Sequence, residues 1–216
     1  MAQTQFGQQF HGTNAVAMSQ RYKAIAFDFF GVLCSRVAPR WVEQHCASER
    51  KREVREHVLD RVDRGEITQQ EMFERLAGIA GCQASAVESQ WYALAAVDHE
   101  MIALLHELQP AFKLALLTNA SWPFVRSLLR QVDIERVIDC IVISSECGHA
   151  KPDAAIYKRM LDLLGEQAAS VIFIDDTREN VVAAKRAGVT GVLFRNLRDL
   201  RQVLRQMEVL RPLRRV

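Results

Sequence analysis

Asp28 closes a short apolar run, Ala24-Ile25-Ala26-Phe27, and stands immediately before a glycine-containing turn, Phe29-Phe30-Gly31-Val32-Leu33. A carboxylate at a strand end can attack phosphorus or an activated carbon and carry a covalent intermediate. Three further polar stations follow apolar runs or their adjoining loops: Thr118-Asn119, Lys151 and Asp175-Asp176. In an open parallel α/β sheet the carboxyl ends of strands are where ligands bind, so four such ends can converge on one place. Each would bring a different chemistry. A Thr hydroxyl and the following backbone N–H, at a strand-to-helix turn, make an anion cradle. The Lys151 ammonium can balance the charge of a nucleophile and a transferred phosphoryl group. Adjacent carboxylates at the end of a buried strand repel each other, and a divalent cation with oxygen ligands is the simplest compensation. Taken singly, each station has a plain structural reading as well: Asp28, Thr118-Asn119 and Asp176-Thr177 as turn or helix-cap residues, Lys151 as a surface charge.

The elements that must position these residues can be read from hydrophobic period. Apolar runs at Ala24–Phe27, Leu114–Leu117, Ile138–Ile143, Val171–Ile174 and Gly191–Phe194 have strand length, and amphipathic stretches separate the later ones. This alternation is that of a parallel α/β sheet. Pro152 suits a helix start, which holds Lys151 just before a helix over Ala154–Leu164; another helix is expected over Asn180–Ala187. The rhythm breaks after the first strand. Helical patterns at Pro39–Val62, Thr68–Ala80 and Ser85–Val97 are too much for one crossover, and a core helix at His99–Leu108 follows them. Thr68 with Glu71 three residues on is a capping-box signal. An inserted helical subdomain over 35–97, directly after the strand that ends at Asp28, could cover a site and select its substrate. Trp41, His45, Trp91 and Tyr92 are its candidate contacts, with core packing the alternative.

With 216 residues, 49% of them hydrophobic, the chain can bury a substantial core. Residues 1–20 are rich in Gln and polar residues, lack periodicity and read as a flexible tail. No apolar stretch approaches the roughly 20 residues of a membrane helix, and the first residues lack a secretory pattern, so a cytoplasmic protein with no membrane partner is expected. A net charge of +2 does not suggest a nucleic-acid partner. From Arg195 onward, seven arginines face only Asp199 and Glu208. Leu197, Leu200, Leu204 and Met207 recur there at helical spacing, as in a docked terminal helix with a solvated basic face. Cys34, Cys46, Cys82, Cys140 and Cys147 are scattered without C-x-x-C spacing, which suggests reduced thiols rather than a disulfide framework or zinc site. Nothing in the sequence fixes the oligomeric state.

The ordered set Asp28, Thr118-Asn119, Lys151-Pro152 and Asp175-Asp176 resembles the haloacid-dehalogenase-like hydrolase superfamily, over a span from Tyr22 to about Arg205. Three segments look most like the branch that holds sugar-phosphate phosphatases and the N-terminal phosphatase domain of soluble epoxide hydrolases. They are Arg64-Gly65-Glu66-Ile67-Thr68, Lys151-Pro152-Asp153-Ala154-Ala155-Ile156-Tyr157, and the Asp-Asp-x-x-x-Asn pattern ending at Asn180. The resemblance implies a modified Rossmann-like parallel sheet, with 21–34 and 98–216 as core and 35–97 as helical cap. It also implies Mg²⁺ as cofactor, a small phosphorylated metabolite as substrate and transfer through an aspartyl phosphate. On that resemblance Asp28 is nucleophile and metal ligand, and Thr118 and Asn119 bind the transferring group. Lys151 spans nucleophile and phosphoryl charge, Asp176 and the Phe30 carbonyl ligate Mg²⁺, and Asp175 acts on the metal through water.

One position departs from the family pattern. Its phosphatases usually carry a second Asp two residues after the nucleophile, as general acid and base; here that residue is Phe30. Loss of a general acid typically costs about 10²–10⁴ in rate. Two rival readings follow. A 2-haloacid dehalogenase-type hydrolase would use Asp28 without metal, with Phe30 as its aromatic neighbour; a catalytically weakened member would bind a phosphorylated ligand or a partner protein.

Overall fold

The computed structural model describes residues 21–211. The stretch 1–20, read as a tail, and the end of the basic C-terminal stretch lie outside the described residues. Among the described residues five strands, β1 (Ala24–Phe27), β2 (Lys113–Thr118), β3 (Cys140–Ile143), β4 (Val171–Asp175) and β5 (Thr190–Leu193), form one parallel sheet in the order β3-β2-β1-β4-β5. Each expected strand is present. Buried on both faces, such strands are apolar throughout, and their alternation sorts side chains to two sides. Ile25 and Phe27 share one face with Leu114, Leu116, Ile172 and Ile174. The opposite face has Ala24, Ala26, Ala115, Leu117 and Phe173. The two small alanines of β1 leave room there for Tyr157, whose ring meets Phe173 edge-on with centroids 5.7 Å apart, a separation usual for such pairs.

After β1 come α1 (Val37–His45), α2 (Lys51–Val54), a π-helical turn at Arg55–Leu59, α3 (Asp60–Asp63), α4 (Gln69–Ala80) and α5 (Ala84–Leu94). The sequence pattern over Pro39–Val62 suggests one helix, but Cys46 and Ala47 take extended dihedrals, which ends α1 with Cys46 buried. The capping box at the start of α4 forms in both directions: Glu71 N donates to Thr68 Oγ1 at 3.1 Å, and Thr68 N to Glu71 Oε2 at 2.7 Å. This insert has no separate core. Trp41, Val54, Phe73 and Trp91 belong to the apolar cluster that contains Ile25, Phe27 and Leu116. Its two ends run side by side: Ser35 N donates to Ala96 O and Asp98 N to Leu33 O, each at 2.9 Å, while Ser35 Oγ donates to Leu94 O at 2.6 Å and accepts from Ala96 N at 2.9 Å.

The remaining helices cover the sheet. α6 (His99–Leu108), α7 (Trp122–Gln131) and α11 (Leu197–Gln206) contribute to the face with Ile25; α9 (Ala154–Leu164) and α10 (Arg178–Arg186) cover the other, and the short α8 (Ser144–Cys147) follows β3. The N-cap of α9 is Asp153, which accepts from Ala155 N at 3.0 Å, so Pro152 precedes the cap instead of opening the helix. On α11, Leu200 and Leu204 are buried, and Arg201 pairs with Glu107 at 2.7 Å. All five cysteines are free, three of them buried. No helix among the described residues is long and apolar enough to cross a membrane.

Candidate active site

β1 runs up the middle of the sheet, and Asp28 is the first residue past its end; Asp28 N still donates to Ile174 O at 2.8 Å. β4 ends level with it at Asp175, and β2 runs one residue further, to Thr118. Lys151 arrives from the loop before α9 and places its ammonium between two carboxylates, 2.8 Å from Asp28 Oδ1 and 2.7 Å from Asp175 Oδ2. Asp28 Oδ1 also accepts from Phe29 N at 2.7 Å. All three charged residues are buried. Burial pushes the Asp28 carboxyl up to about 7; Lys151 pulls against that, and Asp175 and Asp176 add to it. Burial also works against the Lys151 ammonium, but the two carboxylates together outweigh it and hold its pKa above the ordinary lysine value.

The acidic pair at the end of β4 divides its contacts. Asp175 is fully engaged inward: Oδ1 accepts from Thr177 N at 2.7 Å and Oδ2 from Asn180 Nδ2 at 3.0 Å as well as from Lys151. Asn180 is in turn fixed through its carbonyl, which accepts from the Tyr157 hydroxyl at 2.9 Å. Asp176 instead meets the guanidinium of Arg36, a side chain 54% exposed. Oxygens of Asp28, Asp175 and Asp176 lie within 4.8 Å of one another, a donor set suited to a hard divalent cation. The turn after Asp28 makes room for Asp176: Gly31 has φ +95°, and a Cβ there would sit 1.8 Å from Asp176 Oδ2. Backbone bonds of this turn run from Gly31 N to Cys34 O and from Val32, Leu33 and Cys34 N to Phe29 O, leaving the Phe30 carbonyl out of them.

Thr118 and Asn119 do different work. Among the described residues Thr118 Oγ1 is buried without a hydrogen-bond partner, which leaves its hydroxyl open to a ligand or a water. The Asn119 side chain faces the protein: Nδ2 donates to Lys151 O at 2.8 Å and Oδ1 accepts from Lys151 N at 2.7 Å, a two-point clamp on the lysine's peptide. The Phe30 ring stacks on Phe124 of α7 at 5.6 Å and meets Phe29 edge-on at 4.9 Å.

Above these residues opens a cavity of about 880 Å³, floored by Asp28, Asn119, Lys151 and Asp176. The insert contributes apolar wall through Val37, Val42, Leu59, Val62, Met72 and Trp91, and charge through Arg36, Lys51, Arg55, Asp60, Asp63 and Arg64. Of the aromatic residues singled out in the insert, Trp91 lines the cavity. Trp41 is buried against His45 with centroids 4.6 Å apart, and Tyr92 packs edge-on to Phe124 at 4.9 Å. Sequence reasoning missed Arg36 and Asp63. Arg36 carries no local signal; Asp63 stands one residue before the Arg64-Gly65 segment that was singled out.

Residues 22–188 match the model of the haloacid dehalogenase-like hydrolases, and the chain belongs to that family. Among curated proteins it is 29% identical over 180 residues to the sesquiterpene phosphatase astK of Aspergillus oryzae, covering 81% of this chain and 91% of that one. Other relatives, among them phosphoglycolate phosphatases and the rat bifunctional epoxide hydrolase 2, are matched over half of their own length or less. The fold resembles that of a family enzyme, bt-2542 of Bacteroides thetaiotaomicron, with TM-score 0.74 at 18% identity, covering 85% of this chain and 98% of that one. The same enzyme has been solved with magnesium and inorganic phosphate. The L-2-haloacid dehalogenase of Xanthobacter autotrophicus is also similar in fold, with TM-score 0.62 at 20% identity over 89% of this chain and 85% of that one. At these identities the structural likeness establishes the fold.

Proposed function

We propose that the chain is a Mg²⁺-dependent phosphatase of a small organic phosphate monoester, working through an aspartyl phosphate on Asp28, with the helical insert as its cap. The observation that carries this reading is the Asp28–Lys151–Asp175 chain of ion pairs with Asp176 alongside and the unpartnered Thr118 hydroxyl at the same strand ends. The relatives named as phosphatases support it. Mg²⁺ would be held by Asp28, Asp176 and the Phe30 carbonyl, with Asp175 behind them. Bound there, it would supply positive charge to the carboxylates and the phosphoryl oxygens. Arg36 must then give up Asp176, which its exposed position allows.

Within this reading the chain's own groups divide the work. Asp28 attacks phosphorus, its carboxylate fixed in direction by Phe29 N and Lys151. Lys151, kept charged by its two carboxylates and held by Asn119, balances the phosphoryl group. Thr118 Oγ1 donates to a phosphoryl oxygen. Asp175, tied to Asn180 and Thr177, keeps Lys151 in place. A small phosphorylated metabolite fits the cavity, whose apolar wall suits an ester with an apolar body and whose charged lining holds Arg36, Lys51, Arg55 and Arg64 as well as Glu43, Asp60 and Asp63. The dehalogenase reading gains only the ring at position 30, and the acidic triplet speaks against a metal-free site.

A phosphate-release screen over sugar, short-chain, aryl and isoprenoid monophosphates, with Mg²⁺ or with chelator, tests the proposal. Release that requires Mg²⁺ is expected for at least one class. No release from any class with Mg²⁺, or chloride release from 2-chloropropionate that survives chelator, overturns it.

A further inference from the structure

The family's usual proton donor is absent, because position 30 holds a ring stacked on Phe124. A displacement at phosphorus is in line, so the leaving oxygen departs on the side away from Asp28, toward the insert that roofs the cavity. One carboxyl there is unspent: Asp63, at the end of α3, lines the cavity with Asp28 and Lys151 and is half-buried. Among the described residues it takes part in no side-chain hydrogen bond or ion pair; its neighbour Asp60 pairs with Arg55 at 3.9 Å.

Its position is fixed by the core as well as by the insert. Gly65, two residues on, has φ +70° and lies so close to α8 that a Cβ would sit 2.6 Å from Ser145 O. The end of α3 is thereby pinned against α8. Before α3, the π-helical turn Arg55–Leu59 widens the helix and rotates the residues that follow; such turns occur often at functional sites.

Resting on the phosphatase reading above, we infer that Asp63 is the catalytic acid and base of this enzyme, supplied from the insert in place of the missing carboxylate next to the nucleophile. In the first half-reaction an Asp28 oxygen bonds to phosphorus. The bond from phosphorus to the alcohol oxygen breaks with its electron pair on that oxygen, and the Asp63 proton moves to it. In the second, the Asp63 carboxylate takes a proton from the water whose oxygen bonds to phosphorus, and the bond to Asp28 breaks. Phosphate leaves with Asp28 and Asp63 both restored.

The surroundings suit the role. Burial first, then the Asp60 charge, pushes the Asp63 carboxyl up to about 7, with Lys151 and Arg64 pulling the other way and Asp28 adding to the rise. The elements packed against α3 carry other charged groups, the π-helical turn Arg55, Glu56 and His57 and α8 Glu146; of these Arg55 is paired with Asp60, Glu56 with Arg52 at 2.7 Å and Glu146 with Arg126 at 3.4 Å. A carboxyl titrating near 7 is matched to proton transfer at neutral pH.

The test compares leaving groups. With Mg²⁺, kcat/KM is measured for 4-nitrophenyl phosphate and for an alkyl phosphate of similar size, in the parent, Asp63→Asn and Asp63→Glu. For the parent, alkyl turnover should fall as pH rises through about 7, since the acid must be protonated. Asp63→Asn should lose about 10²–10⁴ on the alkyl ester and only a few-fold on the aryl ester, whose leaving group needs little protonation, and should lose the pH limb. Asp63→Glu should recover part of the alkyl rate. An equal loss on both esters, or an alkyl rate within about threefold of the parent, overturns the inference. If the parent hydrolyses neither ester, nor any member of the phosphate screen, the phosphatase reading itself has failed.

Discussion

Lys151→Met keeps a side chain of similar length and removes the ammonium held between Asp28 and Asp175. Lys151 is 5% exposed, Asp28 6% and Asp175 0%, so water has little access to replace it. Deleting one member of a buried ion pair typically costs about 3–5 kcal/mol, because it leaves the partner charge uncompensated. Against a domain stability of about 5–15 kcal/mol, the variant should remain folded under mild conditions but be much weakened. With a urea m-value of about 2 kcal/mol/M, the midpoint should drop by roughly 1.5–2.5 M. Its pH dependence follows from Asp28. The folded-state pKa of about 7 lies above the ordinary 3.8, so this carboxyl's contribution is present at low pH and lost as pH rises through about 7. Lys151 opposes that rise. Without it the folded-state pKa climbs further and the loss extends above pH 7, by about 1.4 kcal/mol per pH unit for each carboxylate that takes up a proton on folding. Urea unfolding in chelator at three pH values, acidic, neutral and alkaline, reads the effect directly. The gap between parent and variant should widen with pH; a constant gap, or one below about 1 kcal/mol throughout, refutes the buried-pair argument.

Asp28→Asn should abolish phosphate release while leaving the far-ultraviolet circular dichroism unchanged, and in chelator above pH 7 it should unfold at higher urea than the parent, because a neutral amide avoids the cost of a buried charge. Phe30→Asp removes a ring that packs on Phe124 and Phe29, and should cost about 2 kcal/mol or more, seen as a lower Tm. Alkyl phosphate turnover should not rise in that variant; a gain of about 10²–10⁴ would mean that the missing neighbour carboxylate alone limits the enzyme. Mg²⁺ at about a hundred times its Kd should stabilise the parent by about 2.7 kcal/mol. Gly31→Ala, which forces Asp176 from its place, should weaken that response, with Mg²⁺ affinity in a titration of Tm lower by about 10–100-fold.

The sheet was legible because each strand is an apolar run that stops at a polar residue, and the same punctuation marks the candidate site. Asp28, Thr118 and Asp175 are strand-end residues, found by where the period breaks. Boundaries moved where a side chain overrode the pattern. Ile138 and Asp139 read as strand, yet the Asp139 carboxylate accepts from Leu114 N at 2.8 Å and delays β3 to Cys140. Contacts over long separations left no trace. Asn119 reads as an anion-binding residue, but its amide is spent on Lys151, 32 residues away, and Arg36 reaches Asp176 across 140. Asp63 was obscured because a helix-ending carboxylate before glycine is ordinary; what distinguishes it is the cavity it faces.

The paired ends of the helical insert have a topological consequence. Cys34 and Val97 form an antiparallel bridge, and the hydrogen bonds around Ser35 tie the outgoing and returning chain together at one point on the rim of the sheet. The sheet therefore sees the insert as if it were a tight hairpin. Between those ends the exposed turns of the insert can lengthen without moving β1 or β2, since extra loop length adds closure entropy only logarithmically, while Trp41, Val54, Phe73 and Trp91 must keep their places in the shared core. A break introduced at the exposed turn around Cys82 leaves each half of the insert tethered to its own side of this junction. Exchanged inserts should retain the sheet beneath them if they keep residues 33–36 and 94–98 together with the core contacts made by Trp41, Val54, Phe73 and Trp91.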